Sequence, residues 1–414
     1  MTLVDVTIDA IAAGGDGIGR DNGVVIFVPR TAPGDVVRVQ IDSRKRFARG
    51  AIEEILTPSP KRIDAVCYHY RVDRCGACQL QHVTYDGQLE AKRGIIRDAV
   101  ARIGKRPIDL PDVEASDKQW GYRRKLTLAM RRSKGEWRIG LHPYGDPVGV
   151  FQLSDCPITD ERVMKVWRQV MEARQHFPPA DELRASVRLL DDSGDASVVM
   201  EGGHEWPNRL AFFEAVPGAV ALWWRPVHRA RTLVAERGGQ RPPASASFEQ
   251  INSAVGRALH SYVLDRTRAH RPAFVIDAYA GAGATAVPLA KDGVRVLAIE
   301  SDREAVAQCA AQLPVGSSAV VALVEDVIAD ELPADVVLIN PPRTGIHERV
   351  AAALDAVVRA PRAVIYVSCD PATLARDLAR MPRYRIASIR GFDMFPQTAH
   401  VETVCELVPA GEAA

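Results

Sequence analysis

From Arg241 onward, short and almost wholly apolar runs alternate with helical stretches: FVIDAYAGAG, VRVLAIES, DVVLINPP and AVIYVSCD. A strand with no polar face needs cover on both sides, which a parallel sheet with crossover helices supplies. Residues 241–414 therefore read as a doubly wound α/β unit, whose ligands are expected beyond the carboxyl edge of the sheet. A chain of 414 residues is too long for one ordinary domain. Residues 1–60 read differently, as short strands punctuated by glycine (VDVTIDAIA, GVVIFVP, PGDVVRVQI, FARGAIEEIL) and closed by Pro58-Ser59-Pro60. This predicts a small OB-like β-barrel of a kind that often binds oligonucleotides. Residues 61–240 mix a helical stretch from Gln88 to Ile103 with strands such as KLTLAM, WRIGLH and ASVVME, predicting an α+β middle domain.

Hydrophobic residues make up 47% and charged residues 25%, which excludes disordered and fibrous classes. A net charge of +1 gives no global nucleic-acid signature, so any RNA contact must come from local patches such as Arg44-Lys45-Arg46 with Arg49, or Arg123-Arg124-Lys125. The most apolar long stretch, Leu210 to Trp224, contains Glu214 and Pro217 and is too interrupted to span a bilayer. The N-terminus lacks a basic region followed by an apolar one, and seven cysteines, an odd number, suit a reducing compartment. A cytoplasmic protein without an obligate protein partner is expected.

Five motifs carry chemistry. The strand Phe274 to Ala278 runs into a glycine loop in which Gly281 and Gly283 let backbone approach a ligand, and the next strand ends at Glu300, placed to accept ribose hydroxyls. Loop and carboxylate together favour a nucleoside cofactor, with a dinucleotide still open at this point. A third strand ends at Asn340-Pro341-Pro342, where Asn340 offers a donor and an acceptor side by side, matching the O4 and N3–H edge of uracil. A fourth delivers Cys369 to the same edge, where a thiolate is a nucleophile and otherwise a small buried hydrophobe. Glu402, in DMFPQTAHVE, is a candidate base, and His400 beside it reads as structural. Finally, Cys67, Cys75, Cys78 and Cys156 supply four thiolates, enough for tetrahedral zinc or a four-iron cluster.

The residues SFEQIN, DAYAGAG, INPPRTGI, YVSCDPATLARD and DMFPQTAHVE together resemble the RNA uracil-5 methyltransferases, and the N-terminal barrel resembles the TRAM domain. The resemblance spans nearly the whole chain. It implies an S-adenosylmethionine-dependent enzyme forming 5-methyluridine in RNA, with Cys369 as nucleophile and Glu402 as base. It also implies Gln250, Tyr279, Glu300 and Asn340 as cofactor- or base-contacting positions, Asp326 near the adenine, and a [4Fe-4S] cluster on the four cysteines. Asn340 stands where many relatives have Asp; the Asn form resembles a 23S rRNA-modifying branch, so rRNA is the expected substrate and tRNA the alternative. Cytosine-5 or adenine-N6 methylation is a second enzyme reading, for which an aromatic residue would follow the prolines where this chain has Arg343, and an adenine-N6 enzyme also has no need of the Cys369–Glu402 set. A noncatalytic iron-sulfur RNA-binding protein is the third.

Overall fold

The computed structural model describes residues 2–41, 47–190, 194–238 and 251–411. Five strands, β1 (Thr2–Ile11), β2 (Gly17–Asp21), β3 (Val24–Val28), β4 (Val36–Ile41) and β5 (Phe47–Thr57), close into a barrel of order β1-β2-β3-β5-β4. Alternation in β4 puts Val37, Val39 and Ile41 inside with Val6, Ile8, Ile26 and Val28. The OB-like expectation holds. Past its last strand the barrel is tied to the middle of the chain: Asp35, fully buried, takes amides of Ala32 and Ser59 and the guanidinium of Arg62.

Next come α1 (Tyr68–Arg71), α2 (Tyr85–Arg102) and β6 (Asp112–Glu114). Helix α2 starts three residues before the Gln88 expected from periodicity, because the Thr84 hydroxyl caps the amide of Gly87 at 3.4 Å. Neither α2 nor β6 belongs to the middle sheet. The α2 residues Ile96 and Val100 share a core with the C-terminal strands, and β6 pairs with the last sheet.

The middle sheet is built from β7 (Lys125–Ser133), β8 (Glu136–Gly140), β9 (Glu182–Leu189), β10 (Ala196–Glu201), β11 (Ala219–Arg225) and β12 (Thr232–Glu236), in the order β12-β11-β10-β9-β7-β8. Between these strands lie α3 (Glu161–Glu172) and α4 (Arg209–Glu214), whose buried residues, Trp167 and Phe212 among them, pack on one face of the sheet. The apolar stretch from Leu210 to Trp224 divides into α4 and β11.

The C-terminal unit runs α5 (Ser253–Ala269), β13 (Phe274–Ala278), α6 (Ala286–Lys291), β14 (Arg295–Glu300), α7 (Arg303–Ala310), β15 (Ser318–Val321), α8 (Val324–Glu331), β16 (Val336–Ile339), α9 (Glu348–Ala356), β17 (Ala363–Ser368), α10 (Pro371–Ala379), β18 (Tyr384–Phe392) and β19 (Glu402–Pro409). Its sheet has the order β15-β14-β13-β16-β17-β19-β18-β6. The five strands from β15 to β17 are mutually parallel, with β19 inserted antiparallel beside β17. Strands β16 and β17 are buried at every position, as their unbroken apolar sequence requires. No described helix is long and apolar enough to cross a membrane.

Candidate active site

The parallel strands β13, β14, β16 and β17 present their carboxyl ends at one edge, and the loops there gather most of the expected residues. After β13 the chain turns through Tyr279 (φ +63°), Gly281 (φ +54°) and Gly283 (φ +88°). Gly283 is required on space as well as conformation, since a Cβ there would stand 2.6 Å from the Cys309 sulfur. Glu300 holds this loop: one carboxylate oxygen accepts from the Gly281 amide at 3.1 Å, the other from Ser301 and Asp302 amides at 2.7 and 2.9 Å. A carboxylate has about four acceptor sites, and with the Ser301 hydroxyl at 3.1 Å all four are engaged, so a ribose hydroxyl would take the place of one of these donors. Asp326 lies on α8, half-exposed and paired with Arg349 at 2.7 Å. Gln250, and the patch Arg44-Lys45-Arg46, lie outside the described residues.

Asn340 follows β16 directly, exposed, with its amide bonded to the Ala278 carbonyl at 3.2 Å. The turn after it is clamped by α10. Buried Asp377 takes the Ile346 amide at 3.0 Å and the Tyr366 hydroxyl at 2.7 Å, Arg376 reaches the Thr344 carbonyl at 2.7 Å, and Thr373 reaches the Arg343 carbonyl at 3.2 Å. The motif residues Tyr366, Thr373, Arg376 and Asp377 thus shape the loop bearing Arg343.

Cys369 sits between the end of β17 and Asp370, which caps α10 through the Ala372 and Thr373 amides at 2.8 and 3.2 Å. Strands β17 and β19 run antiparallel with Ser368 opposite Thr403 as their last pair, so Cys369 and Glu402 are the residues next to that pair on the two chains. Glu402 is buried, and desolvation pushes its carboxyl up to about 7, against the pull of Arg343. Burial also raises the Cys369 thiol, with Glu402 adding to the rise and Arg343 opposing it. His400 is held below its usual value by its packed surroundings, then by the Arg343 charge.

The segment leading to Glu402 is fixed from a distance. Lys92 of α2 makes a fully buried ion pair with Asp393 and donates to the Phe395 carbonyl at 3.0 Å. Gln88 and Gln397 exchange two hydrogen bonds of 3.0 and 2.9 Å, with Gln397 in the left-handed region (φ +70°). The amides of Gln79 and Leu80 both donate to the Gln397 carbonyl. None of these supports was anticipated, nor was the pairing of buried Asp277 with Thr285 beneath the glycine loop.

Cys67, Cys75, Cys78 and Cys156 are all buried and unbridged. No three His, Cys, Asp or Glu side chains among the described residues stand as a single-ion metal site. The four thiols are nonetheless neighbours: burial raises Cys75, up to about 11, Cys78 and Cys156, with Cys156 and Cys67 adding to the rise in Cys75, Cys156, Cys75 and Cys67 in Cys78, and Cys67 in Cys156. A buried, all-sulfur set of this kind is donor chemistry that structural zinc and iron-sulfur clusters share.

Comparison with known proteins agrees with this architecture. Residues 320–408, which contain Asn340, Cys369 and Glu402, match the model of the tRNA (uracil-5-)-methyltransferase family, and residues 2–52 match that of the TRAM domain. The chain is 30% identical to an uncharacterized RNA methyltransferase of Thermosynechococcus vestitus, over 98% of this chain and 97% of that one. With a counterpart from Synechocystis the identity is 31%, over 97% and 94%. Its fold is similar to that of Pyrococcus abyssi tRNA (uracil-54, C5)-methyltransferase in complex with S-adenosyl-L-homocysteine, at TM-score 0.70 and 24% identity over 98% of this chain and 100% of that one. A barrel of the TRAM type, a methyltransferase sheet and full-length relatives that are RNA methyltransferases leave one conclusion, that this chain belongs to the TRAM-bearing RNA methyltransferases of the uracil-5 family.

Proposed function

We propose that the protein uses S-adenosylmethionine to methylate C5 of a uridine in RNA, with Cys369 as nucleophile and Glu402 as base. The observation that carries this reading is that Cys369 and buried Glu402 flank the last β17–β19 pair, Ser368 with Thr403, with Glu402 close enough to act on the Cys369 thiol. Uracil C5 is a weak nucleophile, and addition of the Cys369 thiolate to C6 places an electron pair on C5. Tyr279, Gly281, Gly283, Glu300, Asp326 and Gln250 would hold S-adenosylmethionine, which when bound would supply an electrophilic methyl to C5 and leave as S-adenosylhomocysteine. Glu402 then takes the C5 proton, the C6–sulfur bond breaks, and the thiolate is regenerated. Asn340 holds the uracil edge. The base must leave its stack to reach both groups.

Recombinant enzyme, labelled cofactor and RNA from a strain lacking the gene should yield labelled 5-methyluridine after digestion to nucleosides. Cys369→Ala should bind S-adenosylhomocysteine normally and transfer nothing; turnover by that variant would remove Cys369 from the mechanism. We assign 23S rRNA as the substrate on the Asn340 form of the loop. The second reading is tRNA, favoured by the matched family and by the fold likeness to a tRNA enzyme, and separating the two RNAs before digestion decides between them. We further assign Cys67, Cys75, Cys78 and Cys156 to one [4Fe-4S] cluster that holds the middle domain together. Anaerobically purified protein should carry about four irons per chain and Cys78→Ser should lose them, whereas stoichiometric zinc in colourless protein overturns this assignment.

A further inference from the structure

The middle sheet has a second face. Apolar residues of β7, β9 and β10 (Leu126, Leu128, Val187, Val198) point to the core beneath α3 and α4. Their alternates point the other way, and the register sets them in rows. One row runs Lys125, Arg188, Ser197, the next Thr127, Ser186, Val199, Trp223, and the next Ala129, Arg184, Glu201, Arg225. Arg131 and Arg138 follow on β7 and β8. Among the described residues, the acidic side chains on this face, Glu136, Glu182, Glu201 and Glu236, are fewer than its cations, and Glu201 is already shared by Arg184 and Arg225 at 3.9 and 2.8 Å.

The cations also form a path. Burial and then the neighbouring charges of Arg188, Arg184 and Arg123 lower the Lys125 ammonium, so these groups sit within reach of one another. Arg123, bonded to the Lys125 carbonyl at 2.9 Å, is close enough to act on His400. Arg343 acts on His400, Cys369 and Glu402. Positive charge therefore runs from the reacting groups out over the sheet. It meets Trp223, a half-buried indole with Arg231 over one side at 5.1 Å and no hydrogen-bond partner for its N–H among the described residues. From β7 to β11 is three strand spacings, roughly 14 Å.

We infer that this face is a single-strand track, on which RNA flanking the extruded uridine lays its phosphates along Arg123, Lys125, Arg188 and Arg184 and stacks one base at Trp223. The inference rests on the RNA-substrate reading above. Cationic grooves with an aromatic platform bind unpaired strands regardless of sequence, since every base has a face to stack. Phosphate contacts release counterions, and each contributes about 0.7 to the salt slope for a single strand.

The test uses full-length protein and a fluorescein-labelled oligouridylate of about twenty nucleotides. Lys125→Gln/Arg184→Gln/Arg188→Gln should weaken binding at least tenfold and flatten the slope of log affinity against log salt by about 2. Trp223→Ala should cost roughly tenfold while Trp223→Phe, which can still stack, retains most of the affinity. Circular dichroism verifies folding; if the triple variant is unfolded, Lys125→Gln alone, with its expected slope change of about 0.7, and the Trp223 pair decide. Folded variants with wild-type affinity and slope overturn the track whatever the enzyme methylates. Weakened binding in the variants of a protein whose wild type forms no 5-methyluridine supports the track and overturns the proposed reaction instead.

Discussion

As the proposed base, Glu402 must be charged to take a proton, yet it is buried where charge is costly, and its value of about 7 reflects that conflict. A carboxyl raised in the folded state favours folding while protonated; this contribution is complete below its ordinary value near 4.5 and is lost as pH rises through about 7. The shift from 4.5 to about 7 corresponds to at most ~3 kcal/mol. Glu402→Gln should therefore match the wild type in urea denaturation at pH 5 and exceed it at pH 8. The same variant should add to uridine and accept the methyl but stall before elimination, leaving a slow-migrating RNA–protein adduct on denaturing gels. In the wild type, release of methylated product should climb as pH passes 7; a flat profile, with no adduct in the variant, assigns the base elsewhere. Cys369 and Glu402 were readable in the sequence because each lies in a motif next to a strand end. Their closeness was not, since it depends on β19 inserting antiparallel beside β17.

At the scale of elements, strands and glycine turns were legible because their apolar runs and turn residues are local signals. The clasp on the segment before Glu402 was invisible for the opposite reason: Lys92 and Asp393 lie 301 positions apart and Gln88 and Gln397 309 apart. A lysine in a mixed helix reads as a solvated residue until its partner is known. Removing one member of a buried ion pair strands the other, typically at ~3–5 kcal/mol. Lys92→Met should lower the urea midpoint accordingly, and adding Asp393→Asn should recover more than half of the loss. If Lys92→Met is as stable as the wild type, the pair does not hold the segment. Nor could periodicity reveal that α2 and β6, lying before the middle sheet in the chain, complete the C-terminal core and sheet.

For the molecule as a whole, this crossing of segments means that residues from before the sequence-based division at 241 complete the core and the sheet of the unit after it. A fragment of residues 241–414 lacks α2, β6 and Arg106, whose guanidinium bonds the carbonyls of Leu378, Met381 and Tyr384. Expressed alone it should be insoluble or molten, with no cooperative thermal transition, and a sharp transition in that fragment would show the crossing to be dispensable. The crossing also sets a timetable for synthesis. Lys92 leaves the ribosome 301 residues ahead of Asp393, which at ~5–20 residues per second is about 15–60 s. Throughout that interval α2 exists without the core that will bury Ile96 and Val100, so the nascent chain must carry a helix with its apolar face uncovered, and Lys92 still in water, until Asp393 has been made.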